Sequence, residues 1–555
     1  MKIFSGRMAA MLLCALAPLP AAAAAPSLLP ARVEQAARAY VAAGEYPALV
    51  IAVVDGRQSR VYGFGKLADG KAPNADTVFE IGSISKTFTA TLLAEAATAG
   101  SVQLDEPVAK LLPGFSVPSR GGKFITLENL ATQHSGLPRL PDNLKPSDMG
   151  NPYADYDAAD LKAFLAGYKL PRDPGSAYEY SNLGFGLLGY ALAQQAHATY
   201  GALAQEEVFG PLRMRMSGAT LSKTMRAHLA AGHDETGKAV ENWDFGALAG
   251  AGAIKSTGAD MLRYLEANMG VLKTPLYSAM QFAQKPRSSL SKEESIGLAW
   301  MTLHDPDGNV IWHNGMTGGY SSFIGFTADG KRGVVVLANI EDTADDLGFA
   351  TLLADAKLPP AEKAISMAPQ ALGDYVGSYQ LAPHFIVTIS RQGSQLYAQA
   401  TGQGAFPIFP SARDEFFARI TDIRISFERN AQGKVANLVL HQNGDHAAPR
   451  IGGVEAAEAA SNRPVAALPA ATLSEYVGHY RLAPDVVFDV TLKGDQLYAQ
   501  LTGQSAFPVY ASAKDKFFYT VVDAQLDFVR DDKSKVIALV LHQNGTDQRA
   551  PRVEN

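Results

Sequence analysis

Three short groups of residues in this chain have the chemistry needed to form and break a covalent bond to serine. Ser83 is followed three residues later by Lys86, and Tyr180-Ser181-Asn182 and His313-Asn314-Gly315 come later in the chain. A serine hydroxyl is a poor nucleophile and needs a base that takes its proton as it attacks a carbonyl. Together, the three groups predict acyl transfer to an activated serine.

The spacing of Ser83 and Lys86 predicts that their side chains are neighbours. If the apolar run Thr87–Thr98 continues as a helix from Ser83, residues three apart lie one turn from each other on one face. Ser83 would then lie at the helix start, where free N–H groups and the helix dipole favour a developing oxyanion. Burial would lower the pKa of Lys86 enough for it to act as a base.

A second Ser-x-x-Lys, Ser289–Lys292, offers an internal comparison. It lies in a polar, charged run with no apolar helix behind it, whereas Ser83 lies between Val78–Gly82 and an apolar helix. Charged clusters between periodic segments are usually on the surface. We therefore predict a solvated loop at Ser289 and assign the nucleophile to Ser83.

The group Tyr180-Ser181-Asn182 is the only Tyr-x-Asn in the chain, and it precedes the apolar helix predicted over Leu183–Ala193. A buried tyrosine near a lysine can pass protons, and an asparagine amide can both donate to and accept from a substrate amide. The structural alternative is that Tyr180 fills a core and Asn182 caps the helix.

The third group follows the apolar pair Ile311-Trp312 and continues to Gly319. We predict a strand whose glycines let a substrate backbone approach closely. On its own, His-x-Gly carries almost no functional signal.

The composition excludes several classes of function. A net charge of -6 and a pI near 6.0 show no excess of basic residues of the kind that binds nucleic acid. The single cysteine, Cys14, cannot form an internal disulfide, and none of the eleven histidines has metal-ligand spacing. We expect no metal and no cofactor.

The first residues have the pattern of a secretory signal. A positively charged start precedes an apolar core over Met8–Leu19 and an alanine run, which predicts a signal over residues 1–24, cleaved after Ala23 or Ala24. A membrane anchor is the alternative, but the apolar run is short and is broken by Pro18 and Pro20. We expect a periplasmic or secreted protein without a membrane span after cleavage.

Two Pro/Ala-rich stretches, Lys357–Pro369 and Ala456–Ala471, read as linkers. They divide the mature chain into residues 27–358, 370–455 and 472–555. The last two parts are copies of one module, because Tyr375–Tyr379 recurs 101 residues later as Tyr476–Tyr480. Many short strands predict a small closed antiparallel barrel, which can enclose a ligand but is more commonly filled by its own side chains.

Residues 27–358 begin and end with strand patterns. A helix near Arg32–Ala43 and a hairpin over Leu49–Gly65 come first, a hairpin over Ser322–Asn339 comes last, and the sequence between them is mostly helical. We predict an antiparallel sheet built from both ends, with a helical insertion, and Ser83 at the seam between the two.

Four ordered segments resemble the serine β-lactamase and penicillin-binding protein superfamily, nearest to its class C branch. They are Phe79–Thr89, Thr126–Pro138, Tyr180–Asn182 with the LGFGLLGYALA that follows it, and His313–Gly319. The resemblance covers about Val41–Asn339. It implies an α/β fold in which an antiparallel sheet flanked by helices lies beside an all-helical region.

The resemblance also implies roles for individual residues. Ser83 would be the nucleophile and Lys86 its base or proton relay. Tyr180 would pass protons to the leaving amine and activate the deacylating water, and Asn182 would hold the substrate amide. The backbone N–H groups of Ser83 and Met316 would form the oxyanion hole.

Two positions depart from the class C pattern. The third motif begins with His313 where true class C enzymes have the lysine of Lys-Thr-Gly, and Leu140 replaces the glutamine expected after Gly-Leu-Pro. We place His313 and Gly315 in the substrate-binding site. A histidine is mostly neutral above about pH 6.5, so we expect weaker attraction for a substrate carboxylate than lysine would give. If His313 faces the substrate, carboxylate binding should strengthen as the pH falls through its pKa, which is near 6.5 if unperturbed. His-x-Gly here resembles D-aminopeptidases and related D-peptidases and esterases.

The sequence therefore predicts an exported serine hydrolase that forms an acyl-enzyme on an amide, either a β-lactam or a D-amino-acid peptide. Its partner would be a small-molecule or peptide substrate, cell-wall peptide included. Two alternatives stay open: an esterase with the same Ser-Lys-Tyr machinery, and a penicillin-binding sensor that is acylated without turnover.

Overall fold

The structure is a computed structural model that describes residues 27–553, except for 383–384, 402, 420–422, 443, 452–465, 467, 484–485, 494–495, 502–506, 520–523 and 544–545. The predicted signal over residues 1–24 and most of the second predicted linker lie outside the described residues. In the described part of the chain, no helix is both long enough and apolar enough to cross a membrane.

An eight-stranded antiparallel sheet lies at the centre of the N-terminal part, in the spatial order β2-β1-β12-β11-β10-β9-β8-β7. The remaining strands form two small pairs, β3 with β6 and β4 with β5. The twelve strands are β1 (Ala48–Asp55), β2 (Gln58–Gly65), β3 (Val78–Glu80), β4 (Ser119–Arg120), β5 (Lys123–Phe124), β6 (Lys255–Thr257), β7 (Ser288–Ser289), β8 (Glu294–Ile296), β9 (Met301–Leu303), β10 (Val310–Thr317), β11 (Tyr320–Thr327) and β12 (Arg332–Ala338).

Eleven helices of the described residues accompany this sheet. They are α1 (Ala31–Ala43), α2 (Ser85–Thr98), α3 (Leu127–Ala131), α4 (Ala158–Gly167), α5 (Asn182–Gln195), α6 (Tyr200–Ala204), α7 (Gly210–Leu212), α8 (Lys223–Ala227), α9 (Gly258–Asn268), α10 (Tyr277–Gln284) and α11 (Asp345–Leu352).

The central strand β1 is apolar on both faces because both faces of the sheet are covered. Successive side chains in a strand point to opposite sides. Leu49, Ile51 and Val53 pack with α1 and α11, whereas the alternate positions pack with the helical region. The sheet is built from both ends of this part of the chain, since β1 pairs with β12. The predicted sheet with flanking helices and an all-helical region is confirmed.

Two closed eight-stranded barrels follow, after the short helix α12 (Pro369–Leu372) and, for the second barrel, α13 (Ala470–Leu473). The first consists of β13 (Gly377–Ala382), β14 (Phe385–Gln392), β15 (Gln395–Ala400), β16 (Phe406–Ala412), β17 (Glu415–Phe417), β18 (Arg424–Arg429), β19 (Val435–His441) and β20 (Asp445–Ile451). The second consists of β21 (Gly478–Ala483), β22 (Val486–Lys493), β23 (Gln496–Leu501), β24 (Phe507–Ala513), β25 (Lys516–Tyr519), β26 (Ala524–Arg530), β27 (Val536–Gln543) and β28 (Thr546–Val553).

The barrel interiors hold the same aromatic side chains in both copies. Tyr375 contacts Phe427 with ring centroids 4.8 Å apart, and the equivalent rings of Tyr476 and Phe528 are 4.7 Å apart. All four rings are buried in the barrel cores. These contacts favour packed interiors over a ligand chamber.

We propose that residues 27–358 fold on their own and carry the catalytic machinery. Arg32 of α1 donates to the carbonyl oxygens of Ala350 and Ala356 at 2.8 and 2.7 Å, which ties the end of this part to its start. A chain that ends at Leu358 keeps these bonds, so we expect a soluble protein with turnover within about threefold of the full chain.

A shorter truncation provides the control. Ending the chain at Asn339 removes α11, whose Leu347 and Ala350 are buried against the sheet, and we expect an insoluble product. Solubility, circular dichroism and turnover distinguish the two truncations. Insolubility of the chain that ends at Leu358 would show that the first barrel is part of the catalytic unit.

Candidate active site

Ser83 lies in a single 3-10 turn, Gly82–Ile84, between β3 and α2. The sequence predicted a helix running from Ser83, and the structure has this tighter turn leading directly into α2. Gly82 has φ +48, and a Cβ there would lie 2.6 Å from the backbone nitrogen of Met316. Glycine is therefore required for the serine to sit this close to β10.

Lys86 is fully buried, and its Nζ is held by three oxygen atoms. It lies 2.8 Å from Ser83 Oγ, 2.8 Å from Asn182 Oδ1 and 2.7 Å from the carbonyl oxygen of Ala251. Burial holds the pKa of Lys86 well below its usual value, and the charge of Arg139 adds to this effect. Lys86 Nζ donates to all three oxygens. Once it has lost a proton, the amine can keep its bonds to Asn182 and Ala251 and direct its lone pair at the Ser83 hydroxyl.

The carbonyl of Ala251 reaches Lys86 because α5 packs very closely against residues 246–251. A Cβ on Gly186 would lie 2.5 Å from Leu248 Cδ2, and one on Gly189 would lie 2.7 Å from the Cα of Gly250. These two glycines let the backbones touch. The LGFGLLGYALA segment therefore positions one of the three partners of Lys86.

Tyr180 completes the contacts of the nucleophile, since its hydroxyl donates to Ser83 Oγ at 2.6 Å. Burial raises the pKa of Tyr180 to about 12, so the phenol is protonated at neutral pH. The residues flanking Tyr180 are fixed by Gln133, whose backbone and side-chain oxygens accept from the N–H groups of Glu179 and Ser181, each at 2.8 Å.

Asn182 is not the cap of the helix it begins. Ser181 is the N-cap of α5, because its Oγ accepts from the N–H of Gly184 at 2.8 Å. The amide oxygen of Asn182 is thus used by Lys86. The structural alternative, in which Asn182 caps the helix, is wrong.

His313 lies on β10 and is only 5% exposed. Its Nδ1 lies 2.6 Å from the carbonyl oxygen of Asn314. Burial, together with the charge of Lys86, lowers the pKa of His313 to about 4. The condition for protonation near pH 6.5, an unperturbed imidazole, is therefore not met, because that value applies to an exposed side chain.

Gly315 brings β10 against the nucleophile. A Cβ on Gly315 would lie 2.1 Å from the carbonyl oxygen of Ile81 and 2.9 Å from the backbone nitrogen of Ser83. Met316 follows with a partly exposed side chain. The two backbone segments that carry the predicted oxyanion donors are thus in direct contact.

The second Ser-x-x-Lys lies apart from this cluster. Ser289 is exposed and donates to the carbonyl oxygen of Ser291 at 2.9 Å, and Lys292 is also exposed. The predicted loop is in fact a short edge strand, because Ser288–Ser289 pairs with Ser295–Ile296. Two paired residues are too few to leave a strand pattern in the sequence.

A cleft of about 140 Å³ opens beside Tyr180 and His313. Its other lining residues are Gln133, Tyr178, Ile296, Ala299, Met301, Trp312 and Asn314. Asn314 donates to Asp345 Oδ2 at 2.7 Å, and burial raises the pKa of Asp345 to about 6. No group of three or more histidine, cysteine or acidic side chains within the described residues could hold a metal ion.

Sequence reasoning missed three residues of this site, Gln133, Arg139 and Asp345. Gln133 has φ +62, an unusual backbone for a residue other than glycine, and no local pattern signals it. Asp345 accepts a hydrogen bond from Asn314, which lies 31 residues earlier in the sequence, so only the fold brings the two side chains together. Arg139 directly follows the Gly-Leu-Pro triplet, so its position next to a motif could have been recognised from the sequence.

Comparison with known sequences matches this part of the chain to one family. The sequence model described as Beta-lactamase matches residues 33–357, and one described as Domain of unknown function (DUF3471) matches residues 361–453 and 462–552. The D-alanyl-D-alanine-carboxypeptidase/endopeptidase AmpH of Escherichia coli (strain K12) is 28% identical over 327 residues, which are 54% of this chain and 83% of that protein. A Beta-lactamase of Pseudomonas fluorescens is 28% identical over 328 residues, or 52% and 88%.

Solved structures share the fold. The Beta-lactamase/D-alanine Carboxypeptidase from Yersinia pestis complexed with citrate has a TM-score of 0.50 at 23% identity and covers 56% of this chain and 92% of its own. A class C beta-lactamase has a TM-score of 0.50 at 24% identity, with 59% and 97% covered.

Proposed function

The chain belongs to the Beta-lactamase family, and from that premise we propose that it is an exported serine hydrolase that forms an acyl-enzyme through Ser83. The observation that carries the proposal is the contact of one serine with two groups whose pKa values are shifted in opposite directions, lowered for Lys86 and raised for Tyr180. Lys86 Nζ and the Tyr180 hydroxyl lie 2.8 and 2.6 Å from Ser83 Oγ. Titratable groups whose pKa values are pushed apart serve as the base and the acid of a reaction.

Acylation uses both groups in turn. Neutral Lys86 takes the proton of Ser83 as Oγ attacks the carbonyl carbon, and the oxyanion is held by the N–H groups of Ser83 and Met316. Tyr180 then donates its proton to the departing amine. The amine of a peptide leaves with that proton, whereas the amine of a β-lactam stays attached through the opened ring, and in both cases the acyl group remains on Ser83 Oγ.

Deacylation reverses the proton path. Tyr180, now a phenolate beside protonated Lys86, takes a proton from water as the water oxygen attacks the ester carbon. The proton on Lys86 returns to Ser83 Oγ as the acyl group leaves as a carboxylic acid. Charges and protons then match those of the starting enzyme.

We propose D-alanyl peptides or β-lactams as substrates, in line with the names of the relatives. The amide oxygen of Asn182 accepts from Lys86, and its side-chain amide also interacts with the Tyr153 hydroxyl, so we propose that the amide nitrogen turns from Tyr153 to the substrate carbonyl on binding. An esterase is the second candidate, because the neutral, buried His313 supplies no cation in the third motif.

A panel of three probes tests the proposal. The protein is incubated with a fluorescent penicillin, a D-alanyl-D-alanine peptide and a p-nitrophenyl ester, and both covalent labelling and product are followed. We expect labelling together with turnover of an amide. Turnover of the ester alone would indicate an esterase, and labelling without product would indicate a sensor.

The buried state of His313 predicts a flat pH response near neutrality. A pKa of about 4 means that the imidazole gains its proton only as the pH falls toward that value. We expect the ratio of kcat/KM for a penicillin to that for a neutral ester to stay constant from about pH 8 to pH 6, and to rise only below about pH 5.

The variant His313→Gln cannot titrate and provides the control for this profile. In that variant the rise below about pH 5 should disappear. A rise centred near pH 6.5 in the wild-type protein that disappears in His313→Gln would show that His313 is exposed to solvent, whereas a rise that persists in the variant would point to Asp345 beside Asn314.

A further inference from the structure

Arg139 carries a positive charge beside the reacting groups. Its guanidinium carbon lies 5.3 Å from the centroid of the Tyr180 ring, and its side chain is exposed. Within the described part of the chain, no carboxylate forms an ion pair with it. An exposed guanidinium over the ring of a proton donor is a ready recognition group for an anion.

The backbone of Arg139 is fixed at this position. Its carbonyl oxygen accepts from the N–H groups of Asn182 and Leu183, at 3.0 and 3.2 Å. These are the first residues of α5, whose N–H groups lack partners within the helix. The base of the arginine side chain is thus tied to the same turn that supplies Asn182 to the site.

The other cations of the site are not available to a substrate. Lys86 is buried and held by its three oxygen partners. His313 is buried and neutral at pH 7. Lys255 is 2% exposed, lies 3.9 Å from Glu80 and donates to the carbonyl oxygen of Trp243. Arg139 is therefore the accessible cation among these four.

We propose that Arg139 determines specificity by binding a carboxylate on the leaving-group side of the substrate. This inference rests on the proposed function, in which Tyr180 protonates the departing amine. The guanidinium lies over the ring of the residue that protonates the amine in the proposed mechanism, and we therefore place the bound carboxylate on the leaving-group side. The preferred substrate is then a peptide with a free C-terminal carboxylate, which the planar guanidinium can bind with two parallel hydrogen bonds.

The test uses matched substrates that differ only in this charge. The kcat and KM values are measured for an acyl-D-alanyl-D-alanine, for its C-terminal amide and for a neutral ester, in the full chain and in Arg139→Gln and Arg139→Lys. We expect Arg139→Gln to lower kcat/KM for the free acid by about tenfold more than for the amide and the ester, mainly through KM. A smaller loss shared by all three substrates is expected as well, because the charge of Arg139 helps to lower the pKa of Lys86. Arg139→Lys keeps the charge and should lose less.

The control variant is Arg57→Gln, an exposed arginine in the turn between β1 and β2, which should change none of the three substrates. Equal losses on acid and amide, or no loss on either, would overturn the role of Arg139 while leaving the proposed function intact. A wild-type protein that turns over none of the three substrates would overturn both.

Discussion

Replacement of Ser83 by alanine is expected to lower turnover of every substrate by about ten-thousandfold or more, because the double displacement then has no nucleophile. The neighbouring groups cannot substitute for it, since Lys86 is fully buried and the Tyr180 phenol is protonated at neutral pH. The measurement is the steady-state rate on a D-alanyl peptide and on an ester.

The chain supplies a matched control for this variant. Ser289→Ala changes the serine of the second Ser-x-x-Lys, whose hydroxyl is bonded to the carbonyl oxygen of Ser291 on the surface. We expect full activity in that variant. Near-normal turnover in Ser83→Ala, or loss of turnover in Ser289→Ala, would reverse the assignment of the nucleophile.

Replacement of Tyr180 by phenylalanine is expected to slow amide turnover by about a hundredfold or more, the range for loss of a general acid. The ring and its packing are kept, and only the hydroxyl 2.6 Å from Ser83 Oγ is removed. Turnover of esters should fall less, because an alkoxide or phenolate can leave without first being protonated more readily than an amide nitrogen can. The control is Tyr190→Phe. Tyr190 is another tyrosine of α5, and its ring contacts Phe115, so this variant should keep full activity.

A comparison of the amide and ester substrates distinguishes a catalytic role of Tyr180 from a purely structural one. If Tyr180 acts as the acid for the amine, kcat falls for the amide more than for the ester. Equal losses on both would argue that Tyr180 only holds the fold around Ser83.

The parts of the site that were predicted from the sequence are the ones set by local geometry. The contact between Ser83 and Lys86 follows from a spacing of three residues, which a helical turn brings together at 2.8 Å. The two barrels followed from an internal repeat, and their buried aromatic rings recur in both copies.

The parts that were not predicted depend on contacts between distant segments. The carbonyl of Ala251 comes to Lys86 across 165 residues of sequence, through glycines that read locally as part of an apolar helix. The pKa of His313 depends on burial and on Lys86, which no sequence spacing reveals. Burial is a property of the folded chain, so the sequence could not show whether His313 keeps the unperturbed value near 6.5.

The central claim, an acyl-enzyme on Ser83, is tested most directly by intact-mass spectrometry of the protein quenched with acid during reaction with a penicillin. We predict a mass increase equal to one penicillin, located by proteolysis on the peptide that contains Ser83. The increase should be absent in Ser83→Ala and present in Ser289→Ala. A mass increase on any other peptide, or product formation without any covalent species in the wild type and in a slowly deacylating Tyr180→Phe variant, would contradict the account.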